Sequence, residues 1–164
     1  MKTSKFAAAF FGLLFVVFFS VPFARGADDG NITVSVSVVA LPKDQAMAFI
    51  AKPELKEKPE EVLKELMGLV EKKSAESVGN PSVTTKSGQR ALTEADAVKL
   101  EAEPVESPDG KMVDLNVMLT YFKNKIVTSV TVATGGVKYL GSFDSAGDGK
   151  DGTCLVFIRV DAGK

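Results

Sequence analysis

The sequence contains no histidine and no tryptophan, and it has one cysteine in 164 residues. Without histidine, a Ser-His-Asp or Cys-His catalytic unit cannot be built. Zinc sites made of histidine or of several cysteines are excluded in the same way. A glycine-rich loop followed by Lys-Ser or Lys-Thr, the pattern that binds nucleotide phosphates, is also lacking. We therefore predict a protein that is not an enzyme, with no catalytic, cofactor-binding or metal-ligating residues and no cofactor.

The single cysteine, Cys154, lies in an apolar run over residues 154–158. In an exported protein such a residue could link two chains through a disulfide. A cysteine in apolar surroundings is more often a small buried hydrophobe. We predict that Cys154 belongs to the core.

The N-terminus has the pattern of a secretory signal peptide over residues 1–26. Lys2 and Lys5 precede an apolar run over residues 6–21, and the motif Ala24-Arg25-Gly26 supplies small residues for a signal peptidase. The alternative is an uncleaved membrane anchor. Because the run is shorter than the ~20 residues of a spanning helix, we favour cleavage after Gly26.

Cleavage would leave one domain over residues 27–164 with an acidic charge balance. The segment that is removed contains three basic and no acidic residues, so 17 basic and 21 acidic residues remain, a net charge of −4. This balance argues against nucleic acid and against an anionic membrane surface as partners. The remaining length suits a single hydrophobic core.

Spacing of apolar residues predicts strand, then helix, in the first half of the domain. Alternating β-branched residues indicate a strand with one buried face, formed by Ile32, Val34, Val36 and Val38. Asp44 is then expected to cap a short helix that buries Met47 and Ile50. The charged segment 54–59 is expected to be a surface connection.

A second, longer helix is predicted to start at Pro59, since proline suits the first helical position. Its apolar stripe consists of Val62, Leu63, Leu66, Met67, Leu69 and Val70. Such a stripe could bind a partner, but it more often packs on a sheet. The Gly-Asn-Pro sequence at residues 79–81 is expected to end this part of the chain.

The chain after Pro81 is predicted to consist of strands and turns. Alternation indicates strands within 98–102, 113–121, 126–132, 137–143 and 153–160. The Gly135-Gly136 turn is expected to join two of them as a hairpin, and Glu101 and Glu103 should lie on an exposed strand face. We predict an α+β fold of antiparallel β-sheets in a sandwich-like arrangement, with one main amphipathic helix packed on a sheet.

Three carboxylates lie in the glycine-rich segment 144–152, at Asp144, Asp148 and Asp151. Carboxylate oxygens in a loop could bind calcium. The spacing differs from the standard calcium loop, and Lys150 opposes a cation. Because Asp and Gly are the usual turn residues, we favour a solvated hairpin loop without a metal.

Three segments resemble the secretin-homology domain of bacterial secretins, and they cover about half of the domain. Residues 81–91 (PSVTTKSGQRA) are similar to its conserved hairpin. Residues 100–105 (LEAEPV), with SPDG and VDL after them, are similar to its central strand pair. Residues 127–132 (VTSVTV) and 135–141 (GGVKYLG) are similar to its closing hairpin. Secretins are multimeric outer-membrane channels of type II and type III secretion systems and of pilus and phage export.

The resemblance implies the fold, export to the periplasm or outer membrane, and association through sheet edges. Secretins carry long gate and membrane-facing hairpins at two positions, where this chain has the short connections 92–98 and 120–125. The first predicted strand also follows the signal directly, so we expect no upstream domains. These features predict that the protein alone does not perforate a bilayer. Membrane association is left open.

The leading hypothesis is a non-enzymatic accessory or structural component of protein secretion or pilus assembly. Its partner would be a second copy of itself or a larger secretin. One alternative is a minimal oligomeric channel subunit of the outer membrane, and another is a monomeric ligand-binding sandwich that uses the loops at one end. The size of the mature protein distinguishes a large ring, a small oligomer and a monomer.

Overall fold

The computed structural model describes residues 30–145 and 152–163, which form nine strands and three helices. The predicted signal peptide lies outside the described residues. The strands are β1 (Asn31–Pro42), β2 (Glu76–Gly79), β3 (Ser82–Lys86), β4 (Ala91–Ala95), β5 (Val98–Glu106), β6 (Met112–Tyr121), β7 (Asn124–Ala133), β8 (Val137–Asp144) and β9 (Gly152–Ala162). The helices are α1 (Lys43–Ile50), α2 (Glu54–Glu57) and α3 (Pro59–Glu71). In this described part, none of the helices has the length and apolar character needed to cross a membrane.

The strands form two antiparallel sheets. Sheet 1 has the order β2–β1–β9–β8, and β3 pairs with β1 on the same edge as β2. Sheet 2 has the order β4–β5–β6–β7. The centre of sheet 1 is the pair β1–β9, in register from Ile32 opposite Ala162 to Pro42 opposite Gly152. The first and last described strands therefore pair with each other along nearly their whole lengths.

The two sheets pack face to face around one core. From β1 this core takes Ile32, Val34, Val36 and Val38, as the alternation predicts. Sheet 2 contributes Val98, Leu100, Ala102, Val113, Leu115, Val117, Leu119, Tyr121 and Val132. Cys154 is fully buried in this core, which confirms its prediction as a core residue.

The helices cover the opposite face of sheet 1. The buried residues of α3, Val62 and Leu66, pack in a second core together with Leu155 and Phe157 of β9. The central strand β9 thus has apolar neighbours on both faces, which is why residues 154–158 form an unbroken apolar run. The predicted α+β fold, with antiparallel sheets and a main helix packed on one of them, is confirmed.

The first two helices differ from the sequence-based expectation. Residue Pro42 occupies the cap position of α1 and Asp44 makes no capping bond, while Met47 is 55% exposed. The helix docks through Ala46 and Phe49 instead, because contacts with sheet 1 decide which face is buried. The segment expected to be a surface connection contains α2, whose Leu55 is buried in the helix-side core.

The predicted hairpins at residues 81–91 and at Gly135-Gly136 are wrong. Their four strands form, but the two strands on either side of each turn do not pair with each other. Strand β3 pairs with β1, whereas β4, on the far side of the turn, pairs with β5. Likewise β7 pairs with β6, and β8 pairs with β9. Each tight turn therefore carries the chain from one sheet to the other. At the first of them, Gly88 has a φ of 75° and the Gln89 N–H donates to Lys86 O at 3.0 Å.

The turn between β5 and β6 is formed by the Ser-Pro-Asp-Gly sequence at residues 107–110. Gly110 has a φ of 67°, and its N–H donates to Ser107 O at 2.9 Å. The Ser107 hydroxyl donates to Asp109 Oδ1 at 2.7 Å, and the Lys111 N–H donates to the same oxygen at 3.2 Å. These hydrogen bonds, led by that of Ser107, lower the pKa of the Asp109 carboxyl because they stabilise its charged form.

Replacing Gly79 or Gly68 by alanine is expected to change the free energy of unfolding in opposite directions. A Cβ at Gly79 would lie 2.7 Å from Val98 Cγ2 and 3.0 Å from Ala95 O, where β2 approaches sheet 2. We expect Gly79→Ala to lower the free energy of unfolding by about 1–3 kcal/mol through overpacking. Gly68, inside α3, has open space around its Cα, so Gly68→Ala should raise it by about 0.5–1 kcal/mol.

Urea unfolding of both glycine variants beside the wild type measures these differences. Equal effects of the two substitutions would contradict the close approach of β2 to sheet 2.

Candidate interaction surface

The polar groups of the described residues do not converge on a buried chemical site. Within residues 30–145 and 152–163, no group of three or more His, Cys, Asp or Glu side chains is placed to hold a metal ion. Every buried side-chain nitrogen or oxygen in that part has a hydrogen-bond partner. The candidate calcium segment is described only at its ends, where the Ser145 N–H donates to Gly152 O at 2.8 Å. Residues 146–151 lie outside the described part, and the metal-free loop stays a prediction.

The two acidic side chains on β5 belong to the outer face of sheet 2, as predicted. Arg90 forms ion pairs with Glu101 at 3.0 Å and with Glu103 at 3.1 Å. The Arg90 side chain is 66% exposed, so these pairs are screened by solvent and contribute little to stability. Arg90, Glu101 and Glu103 also line a cleft of about 380 Å³ on this face, together with Asn116 and Met118 of β6.

A cleft of about 600 Å³ lies at one end of sheet 1, next to the end of α3. Its apolar wall includes Leu41, Val70 and Ala75, and Ser74 and Ser77 contribute hydroxyl groups. Gly152 also lines it. The volume falls within the range of small-molecule pockets.

Three of the four sheet edges have features that hinder further strand pairing. On one edge of sheet 1, β2 and β3 are short and are separated by Asn80-Pro81. The other edge, β8, has a register shift between Tyr139 and Gly141. The β4 edge of sheet 2 is five residues long and carries Glu94. Short strands, proline, bulges and charge are the usual protection of sheet edges.

The fourth edge, β7, lacks this protection over most of its length. The strand has ten residues and pairs with β6 without a register shift, from Met112 opposite Ala133 to Tyr121 opposite Asn124. Residues 126–133 contain no charge, no proline and no glycine. They are mainly β-branched, the residue type that favours strands. This is the longest regular edge in the described part of the chain.

Hydrogen bonds at the end of β7 show which of its backbone groups face outward. The Thr134 N–H donates to Lys111 O at 2.9 Å and continues the ladder with β6. Since backbone groups alternate sides along a strand, the even-numbered residues of β7 pair with β6. The odd-numbered residues face away, and Lys138 Nζ indeed donates to Thr131 O from that side at 3.1 Å.

The two ends of this outward side are partly covered, whereas its middle is open. Lys138 covers Thr131, and the Asn124 side chain donates to Asp144 O at 2.9 Å. Among the described residues, no hydrogen bond joins the outward backbone groups of Val127 or Ser129 to another element. Val127 is 70% exposed. We call the N–H and C=O groups of Val127 and Ser129 the open edge.

The Ser129 hydroxyl is engaged with β6 and does not bond to the backbone groups of the open edge. It donates to Asn116 Oδ1 of β6 at 2.7 Å. The neighbouring Thr131 hydroxyl donates to Asp114 Oδ1 at 2.6 Å. These cross-strand bonds fix β7 on β6 through the outer face, so the open edge is presented by a firmly paired strand.

No protein-family model and no curated protein sequence matches this chain. Two solved structures are similar to it, each at 11% sequence identity and with 83% of this chain covered. One is the Klebsiella pneumoniae type II secretion system outer membrane complex of PulD, PulS and the PulC HR domain, with a TM-score of 0.49. The other is the type II secretion system secretin GspD of E. coli K12, with a TM-score of 0.46. The chain spans 40% and 51% of the lengths of the chains it matches.

Proposed function

We propose that this chain is an exported, non-enzymatic component of a protein secretion or pilus assembly system and that it acts through β-edge contacts. The observation that carries the proposal is the open edge of β7, since the other three edges are short, broken or charged. The segments 81–91, 100–105 and 127–132, which resemble the secretin-homology domain, support the same role. The signal-like N-terminus over residues 1–26 supports export, with a place in the periplasm or at the outer membrane.

Backbone chemistry explains why such an edge binds a protein partner. An unpaired N–H or C=O group forms a hydrogen bond with an extended segment that lies alongside it. The core-facing side chains of β7 include Ile126, Val130 and Val132, which would continue the apolar face of sheet 2 onto an added strand. The partner is therefore a protein that presents a strand, either a second copy of this chain or a larger secretin.

A substitution at Ser129 tests this function without disturbing the sheet. Proline at this position removes an outward N–H, while the ladder with β6 uses the even-numbered residues. In a bacterium that encodes the chain, we expect Ser129→Pro to reduce secretion or piliation to the level of a deletion strain. Secreted protein or surface pili, together with the assembled secretin in the envelope, provide the measurement.

Ser129→Ala is the matched control, because it also removes the hydroxyl bond to Asn116 but keeps the backbone N–H. We expect it to restore the deletion strain fully. Thermal melting of both purified variants checks that their folds are equally stable. Full restoration by Ser129→Pro would overturn the proposed function.

A second candidate function is ligand binding by a monomeric sandwich, which the cleft of about 600 Å³ favours. In that case activity would depend on the cleft. A bulky substitution at Ser77, which lines it, would then abolish function, and Ser129→Pro would have no effect.

A further inference from the structure

We propose that the partner of β7 is the β7 strand of a second copy, antiparallel to it, with Thr128 on the two-fold axis. This pairing would join two copies of sheet 2 into one continuous sheet of eight strands. The inference rests on the proposed function, because it uses the same open edge. It adds the identity of the partner and the register of the contact.

The positions of the open groups determine the register. In an antiparallel pair, opposite residues that both face the partner strand exchange two hydrogen bonds. A two-fold axis at Thr128 places Val127 opposite Ser129 of the second copy, and Ser129 opposite Val127. The four N–H and C=O groups of each open edge are then all bonded. An axis at Ser129 would instead place Val127 opposite Thr131, whose carbonyl already accepts from Lys138.

The side chains suit this register on both faces. On the core side, Thr128 meets its own counterpart, and Ile126 meets Val130 of the second copy. On the outer side, Lys125 lies opposite Thr131, so the two Lys125 side chains are at opposite ends of the contact. Pairs of β-branched residues and Thr–Thr pairs are favourable across strands, and no like charges face each other.

The same arrangement explains why pairing would stop at two copies. A two-fold contact uses the same surface on both chains and is therefore closed. The outer edges of the joined sheet would both be β4, which has five residues and carries Glu94. A short, charged edge resists further strand addition. The expected product is a dimer rather than a filament.

Cysteine cross-linking tests the register directly. Thr128 lies opposite itself in a pair without backbone hydrogen bonds, where Cβ atoms approach to about 4.5 Å and a disulfide can form. We expect Thr128→Cys to give a covalent dimer on mild oxidation, at least about ten times faster than Ser142→Cys, an exposed control on sheet 1. The wild type should give none, because its Cys154 is buried.

Sedimentation equilibrium of the mature chain tests the pairing itself. We expect a dimer for the wild type and for Ser129→Ala, and a monomer for Ser129→Pro. A monomeric wild type, a Ser129→Pro dimer, or equal cross-linking at positions 128 and 142 would overturn self-pairing.

The two proposals fail in different ways. A monomeric wild type whose Ser129→Pro variant still loses secretion would leave the proposed function standing and overturn self-pairing. A wild-type dimer that Ser129→Pro dissociates without any loss of secretion would uphold self-pairing and overturn the proposed function.

Discussion

Leu66→Asp is expected to destroy most of the stability of the domain. Leu66 is completely buried in the core between α3 and sheet 1, where it packs with Leu155 and Phe157. An aspartate there would have apolar neighbours and no cationic partner. The cost of burying such a group is several kcal/mol, comparable with the roughly 5–15 kcal/mol that stabilises a typical domain. We expect the purified variant to be largely unfolded by circular dichroism at room temperature.

Met47→Asp is the matched control, since it makes the same kind of change on a helix of the same layer. Because Met47 is 55% exposed, the substitution should change the free energy of unfolding of the protein by less than about 1 kcal/mol. If Leu66→Asp melts within a few degrees of the wild type, α3 does not pack on sheet 1. If Met47→Asp unfolds the protein, the orientation of α1 is wrong.

Leu115→Ala is expected to cost about 2–5 kcal/mol by opening a cavity between the two sheets. Leu115 is 1% exposed and lies on β6, an interior strand of sheet 2. Both sheets contact this core, so the loss affects their packing rather than one strand alone. Urea unfolding should show a lower midpoint with an unchanged slope, because the change removes stability without altering the surface exposed on unfolding.

Leu92→Ala provides the comparison on the same sheet. Leu92 is 54% exposed on β4, and its truncation should change the free energy of unfolding by no more than about 0.5 kcal/mol. Similar losses for Leu92→Ala and Leu115→Ala would contradict the face-to-face packing of the sheets.

The elements with long, regular patterns were predictable from sequence. The alternation of Ile32 to Val38 predicted β1 and its buried face, and the stripe around Leu66 predicted α3. Both signals are local, because spacing along the chain alone determines which side chains share a face. Glu101 and Glu103 were placed on an exposed strand face by the same reasoning.

Shorter elements escaped prediction because they contain too few residues to show a period. The sequence predicts a surface connection where the four-residue helix α2 lies, and it predicts no strand at the four-residue β2. The burial of Ala46 and Phe49 in place of Met47 reflects how α1 docks on sheet 1, where the predicted Ile50 is partly buried. This docking depends on contacts with β9, which is distant in sequence, so the spacing of apolar residues within α1 does not predict it.

The α+β class with antiparallel sheets and a packed helix, the strand character of residues 126–132 and the core position of Cys154 were all predictable from local sequence patterns. The assignment of β3 and β8 to one sheet and of β4 and β7 to the other, with β7 at an edge, required the three-dimensional structure. Side-chain alternation specifies the faces of a strand, but the hydrogen-bond partners of its backbone are set by chain segments that fold beside it. For β1, that partner is β9, at the far end of the domain. The open edge at Val127 and Ser129 is a property of the backbone, so it became visible only once every pairing was known.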